Sequence, residues 1–414
     1  MREAHACGRR ATRLDRAVAL QSDRLPVERL FTPRFFVMCG FTFTVFLSAF
    51  QLLPTAPFEI LTRGGSTFAS GLFLGCLTYS SAFSAPLTGA FSDRAGQRRI
   101  LIVTSAALTI FSIAYAVVPG YRIMLALVLV HGVFWSGLLS ASAAYLTNSI
   151  PETRRGEGVA YWGLSSVAAI AVAPTIGFWV YRQGWTTLCL ESAGLNLVMA
   201  AIAWRLPDQP VRAAEPRTRD VEWRVLVLSI TLFMYSFGYG GITSFTALYA
   251  DANGVSPKGI YLTALAIVIL VTRPLAGRLG DRLGHRRVLV PCLALIAIGL
   301  ACLCAGGTLR WLLASAIIFG TGFGTAYPLF VAHVMEHVGP ARRGAAFGAI
   351  LAAFDTGIGT GSTLMGWMIG RYGFAAAFGV AAALSAISLP YFLLTDGLLG
   401  RRSTTGFERR SSNP

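Results

Sequence analysis

Gly89-Ala-Phe-Ser-Asp93-Arg94-Ala-Gly96-Gln97-Arg98-Arg99-Ile-Leu101 returns 188 residues later as Gly277-Arg-Leu-Gly-Asp281-Arg282-Leu-Gly284-His285-Arg286-Arg287-Val-Leu289. Two further landmarks keep that offset: Arg154-Arg155-Gly156 recurs as Arg342-Arg343-Gly344, and Gly132 as Gly320. Agreement of three unrelated landmarks on one spacing is the mark of internal duplication. The chain reads as two homologous halves.

What flanks the repeats is apolar. Of 414 residues 54% are hydrophobic and only 13% are charged, against roughly 25% charged in an ordinary soluble domain. A helix needs roughly 20 mainly apolar residues to cross a bilayer. Spans are expected over 35–57, 67–92, 99–118, 121–148, 156–180, 186–205, 223–250, 256–280, 287–306, 310–337, 343–370 and 373–397. The longest polar connection, Leu206 to Glu222 (LPDQPVRAAEPRTRDVE), divides these spans into two sets of six. The expected organisation is a basic tail (1–34), a six-helix half (35–205), a linker (206–222), a second half (223–398) and a tail (399–414). The fold class is all-α integral membrane, with twelve transmembrane helices in two homologous halves.

The net charge of +16 raises the question of nucleic acid, and its distribution answers it. With a cytoplasmic N-terminus, 28 of the 35 basic residues fall in the tails or inner loops. The outer side holds only Arg63, Arg122, Arg182, Lys258, Arg310 and Arg371, and Arg273 lies inside a span. This positive-inside pattern predicts a multi-pass protein of the cell inner membrane with both termini cytoplasmic, and no nucleic-acid partner. Six cysteines lie in spans and none pairs across an outer loop, so free thiols are expected. Cys302 and Cys304 are too isolated to read as a metal site, and neither metal nor cofactor is expected. Residues 1–34 carry eight Arg and no apolar stretch of signal-peptide length, so they read as a solvated cytoplasmic tail.

The twin G-x-x-x-D-R-x-G-x-R-R motif resembles the loops between helices two and three, and eight and nine, of the major facilitator superfamily. The resemblance covers about Phe35 to Leu398 and implies a secondary transporter working by alternating access. Gly89 and Gly277 would let helices approach closely at the cytoplasmic face. Asp93 would face the N-terminus of span eleven near Arg343, a contact typically worth ~0.3–1 kcal/mol. With Arg94, Gly96, Arg98 and their counterparts Asp281, Arg282, Gly284 and Arg286 it would form an inner gate, locked while the cavity faces outward. Phe91, Gln97 and His285 depart from the family pattern. Ala171-Val-Ala-Pro174-Thr-Ile-Gly177 resembles a degenerate form of the Gly/Pro stretch of the superfamily's drug:proton antiporters, in which Pro174 would bend span five against span eight. The span-four arginine of those antiporters falls on Val128 here, so coupling through it does not carry over.

Polar residues inside the spans supply the remaining candidates. Asp355 lies near mid-bilayer, where an ionised carboxylate costs on the order of 2.5–3.5 kcal/mol and should face a cavity or a partner. It is the leading proton-carrier candidate, with a structural hydrogen bond as the alternative. Arg273 could reach Asp355 or an anionic substrate, or snorkel to the headgroups. His131 is suited to protonation, though a satisfied hydrogen bond is the simpler account. Glu59 and Glu191 near the outer side read as solvated. Phe46, Phe50, Phe134, Trp135, Tyr235, Tyr239 and Tyr327 are candidate cavity aromatics. Catalytic motifs are missing, so no enzyme is expected. The leading reading is proton-coupled export of a small organic compound by a monomer. A proton symporter importing a sugar or organic anion, and a non-transporting receptor, remain as alternatives.

Overall fold

The computed structural model describes residues 30–209, 223–339 and 342–400; the expected linker core and most of both tails lie outside them. The first half contains α1 (Pro33–Thr62), α2 (Thr67–Ala95), α3 (Gln97–Val117), α4 (Tyr121–Ser149), α5 (Arg155–Tyr181) and α6 (Trp185–Arg205). The second half begins with α7 (Trp223–Ala252), α8 (Ile260–Leu283), α9 (His285–Ala305) and α10 (Leu309–His337). A last helical run, Arg343–Gly400, is broken at Gly373, whose φ of 81° and ψ of 174° leave helical space. Unbroken, its apolar stretch Ala345–Gly397 would extend about 80 Å at 1.5 Å per residue, against a hydrocarbon core of ~30 Å. The break therefore makes two spans, α11 (343–372) and α12 (374–400). Eleven helical runs thus yield twelve spans, and no strand occurs among the described residues.

Local chemistry sets the helix ends. Thr32 caps α1 by accepting from the Phe35 amide at 3.2 Å, with Pro33 at the first position, where its missing N–H costs nothing. Ser66 caps α2 in the same way through the Ala69 amide. Gly96 and Gly284 both end a helix and begin the next at φ 88°, a conformation that disfavours any side chain. The predicted motif loops are thus single-residue turns. Asp93 and Asp281 sit in the last helical turns of α2 and α8 rather than in loops. Hydropathy falls at the headgroups, but backbone hydrogen bonding carries the helices past that level, so spans read from hydropathy stop short.

Each half holds its own apolar core. Leu228, Leu232, Tyr235, Phe245, Ile296, Phe319 and Phe330 pack in the second. In the first, Phe41, Leu101, Leu138 and Tyr145 cluster towards one end, and Phe73, Tyr115 and Leu188 towards the other. The halves meet along α2–α11, α5–α8 and α1–α7.

Candidate functional site

The α2–α11 seam is built from glycines and small hydroxyls. A Cβ on Gly71 would overlap the Ser362 carbonyl, one on Gly75 the Thr363 hydroxyl, and one on Gly359 would lie 2.5 Å from Thr78 Oγ1. The Ser362 hydroxyl donates to the Gly71 carbonyl at 2.8 Å, and Tyr79 and Thr360 share a hydrogen bond of 2.6 Å. These contacts sit at the end of α2 far from the arginine-rich turns. At the basic end Gly89 and Gly277 have nothing within 4 Å of a Cβ position. The close approach expected of these two glycines is therefore not present among the described residues, whereas the seam glycines at the other end of α2 do meet the second half.

Between the seam and the basic end lies Asp355. It is half-buried on α11, about 18 Å along the axis from Arg343. Among the described residues no hydrogen bond or ion pair holds its carboxylate. Tyr327 stands within electrostatic reach of both Asp355 and Arg273. Arg273 points across the seam between halves, its Nη1 3.8 Å from where a Cβ of Gly163 on α5 would be. Arg273 and Asp355 do not form an ion pair, and Tyr327 is the group that both reach.

The aromatics divide unequally. Tyr327 packs on Phe354 at 4.9 Å between ring centroids, and Tyr239 stacks on Phe323 at 4.3 Å. Tyr239 and Phe354 touch the cores of both halves. Tyr235 is wholly buried, and its hydroxyl finds no partner among the described residues. Phe46 touches both Phe50 and Trp135 in the first half, while Phe134 packs on Phe111. His131 is a core residue: its Nδ1 pairs with the Tyr115 hydroxyl at 3.0 Å, and its ring stacks on Phe111 at 8°.

Two expectations about the end of the bundle opposite the arginine-rich turns change. Pro174 does lie against α8, since a Cβ on Gly259 would come within 3.1 Å of it. Gly177 instead faces α1, where a Cβ would come within 2.9 Å of Gln51 Cα. Glu59 and Glu191 are not simply solvated. Glu59 pairs with Arg63 at 2.6 Å and accepts from Tyr181, and Glu191 accepts from Gln51 at 3.1 Å. The second Glu191 oxygen is buried without a partner among the described residues.

The repeated motif performs a task within each half. Arg98 meets Asp208 at 3.0 Å and donates to the Trp204 carbonyl, tying the start of α3 to the end of α6. Arg286 meets Asp396 at 2.6 Å, tying α9 to α12. Asp281 is 78% exposed and, among the described residues, meets only His285 of its own turn, at 3.9 Å. Arg94 and Arg282 are exposed. In this conformation the second-half motif is not engaged across the halves, since Arg286 is taken up by Asp396. Asp208 and Asp396 were not singled out from sequence, yet they too stand 188 residues apart, so the repeat offset would have found them.

An all-helical chain of two repeated halves has counterparts among known proteins. A sequence model described as Major Facilitator Superfamily matches residues 37–271 and, overlapping them, 228–411. The chain belongs to the Major Facilitator Superfamily. Among its relatives is an Escherichia coli protein named "Uncharacterized MFS-type transporter YhhS", 24% identical over 339 residues, covering 79% of this chain and 83% of that one. The protein of the same name from Salmonella typhimurium is 24% identical over 361 residues, covering 84% and 88%. Solved superfamily structures share the fold. The nucleoside transporter NupG aligns with a TM-score of 0.69 at 15% identity over 88% of this chain and 99% of its own. The human organic anion transporter MFSD10 aligns with a TM-score of 0.68 at 17% identity, over 89% and 100%. Superfamily membership makes this chain a multi-pass membrane transporter, not an enzyme.

Proposed function

We propose that this superfamily member exports a small organic compound in exchange for protons, with its two halves rocking about a site near Asp355. The observation that supports this reading is Asp355: a half-buried span carboxylate, held by no hydrogen bond or ion pair among the described residues, on the helix that forms the seam between halves. A group so placed can be exposed to each side in turn, and its cost in the bilayer favours a proton-loaded form when it is sealed off. In this reading the basic end is the cytoplasmic end at the inner membrane, both termini lie there, and the monomer is drawn in its inward-open state. The α2–α11 seam would be the closed outer gate. The turns bearing Asp93 and Asp281, with Gly89, Arg94, Gly277 and Arg282, would close the inner gate when the halves tip. Phe46, Phe50, Trp135, Tyr239 and Tyr327 would line the cavity for a partly apolar substrate, and Pro174 would bend α5.

One observation favours import of an organic anion as the second reading. Arg273 is a span arginine without an ion pair among the described residues, and it would attract an anionic substrate group. Transport in proteoliposomes with an imposed pH gradient separates the two. Export predicts uphill movement of a dye or other organic compound against the proton flow. Uptake of a sugar or organic anion along with protons would overturn export. Flux indifferent to the gradient would overturn proton coupling itself.

A further inference from the structure

Three of the five histidines in the chain, His285, His333 and His337, meet at the basic end of the second half. His333-Val-Met-Glu336-His337 ends α10, and positions three and four apart share a helix face. One ligand atom from each of His333, Glu336 and His337 lies within 4.8 Å of the others.

Each of these groups also has a hydrogen-bond partner. His333 Nε2 meets Asp396 Oδ1 at 2.6 Å, and Arg286 fixes the other oxygen of that carboxylate at 2.6 Å. His337 Nδ1 donates to the His333 carbonyl at 2.8 Å. Glu336 is held by His285 Nδ1 at 2.8 Å. Metal-binding histidines characteristically engage a carboxylate or carbonyl through the ring nitrogen that does not bind the ion. Here that arrangement leaves His333 Nδ1 and His337 Nε2 with their lone pairs. Glu336 and His337 are exposed, so an ion has a path from solution. The charge of Arg286 is neutralised by Asp396, while Arg343, whose Nε donates to the Val338 carbonyl beside His337, adds a positive charge, so the carboxylate of Glu336 is the ligand that offsets the positive surroundings.

The duplication provides an internal control. The first half keeps the corresponding Arg98–Asp208 pair, but Gln97, Tyr145, Asn148 and Ser149 occupy the places of His285, His333, Glu336 and His337. Packing of this corner therefore does not require the ligand set.

We propose that His333, Glu336 and His337 bind one divalent transition-metal ion of the Zn2+ class, with water completing the shell. Two imidazoles and a carboxylate suit that ion, and three protein ligands leave one position open. Through His285 on Glu336, the ion would brace α10 against the α8–α9 turn.

The test is Zn2+ titration of the tag-free full chain in detergent against a chromophoric indicator. One equivalent should bind, and His337→Ala and Glu336→Gln should each weaken it at least ~10-fold, the smallest loss usual even for an outer-shell partner. Both exposed substitutions should leave the metal-free melting temperature unchanged, which separates lost ligation from lost folding. Co2+ in the same site should show no thiolate bands. Undiminished binding in both variants, no stoichiometric binding by the wild type, or thiolate bands from the cysteines would overturn the assignment.

Discussion

Asp396 accepts from Arg286 at 2.6 Å, in the place that Asp208 holds for Arg98 in the first half. The two pairs are equivalent by repeat but not by environment. The Asp396 side chain is 11% exposed and the Asp208 side chain 73%. Breaking the sheltered pair should therefore cost more. Asp396→Asn is expected to lower unfolding stability by ~2–3 kcal/mol, below the range for a fully buried pair because Arg286 remains half-exposed. Asp208→Asn should cost ~0–1 kcal/mol. Thermal melts of both variants in one detergent would check the difference, and equal losses would contradict it.

Asp355→Asn should abolish transport driven by a pH gradient while sparing substrate exchange. The variant keeps the shape and loses only the titratable proton. Gradient-driven uphill transport with unaltered pH dependence would remove Asp355 from the coupling mechanism.

The seam glycines should behave oppositely to the motif glycines. Gly71→Ala forces a methyl into the Ser362 carbonyl, an overpacking that costs typically ~1–3 kcal/mol. Gly89→Ala meets open space and should melt like the wild type. If this end closes during turnover, Gly89→Ala should nevertheless slow transport. A wild-type rate would mean that α2 gains no close neighbour there in any state.

His131→Phe should cost ~1–3 kcal/mol, since the buried Tyr115 hydroxyl loses its partner. The pH profile of transport should not move. A shifted profile would return His131 to the coupling machinery.

Orientation can be read by labelling with a membrane-impermeant thiol reagent in a cysteine-free background. Arg182→Cys and Arg310→Cys should react from outside intact cells, and Arg217→Cys should react only after lysis. The reverse pattern would invert the topology.

The duplication, the twelve spans and the two-half architecture were legible because each rests on a periodic or repeated signal. Gly96 and Gly284 were read only as parts of the gate motif, and their role as single-residue turns at φ 88° emerged from the structure. The reach of α2 through Asp93 was not legible, because hydropathy reports the bilayer and not the end of the hydrogen-bond ladder. Gly177 could not be assigned to α1 rather than α8 from sequence, since a small residue says that something approaches without saying what. Glu191 read as solvated only because its partner Gln51 lies 140 residues away. The open space at Gly89 belongs to one position of the halves, and no sequence carries a conformational state.

Gly373 turns the chain between α11 and α12 within one residue. A linkage that short has no slack. Any tilt of α11 during turnover must pull on the near end of α12 at once, while Asp396, close to its far end, stays bound to α9 and α10. The last two helices then act as a lever: pinned to their own half at the basic end, hinged at Gly373, and pressed on α2 along the seam. Lengthening that turn with a few flexible residues would decouple the lever's arms without touching a single contact described above.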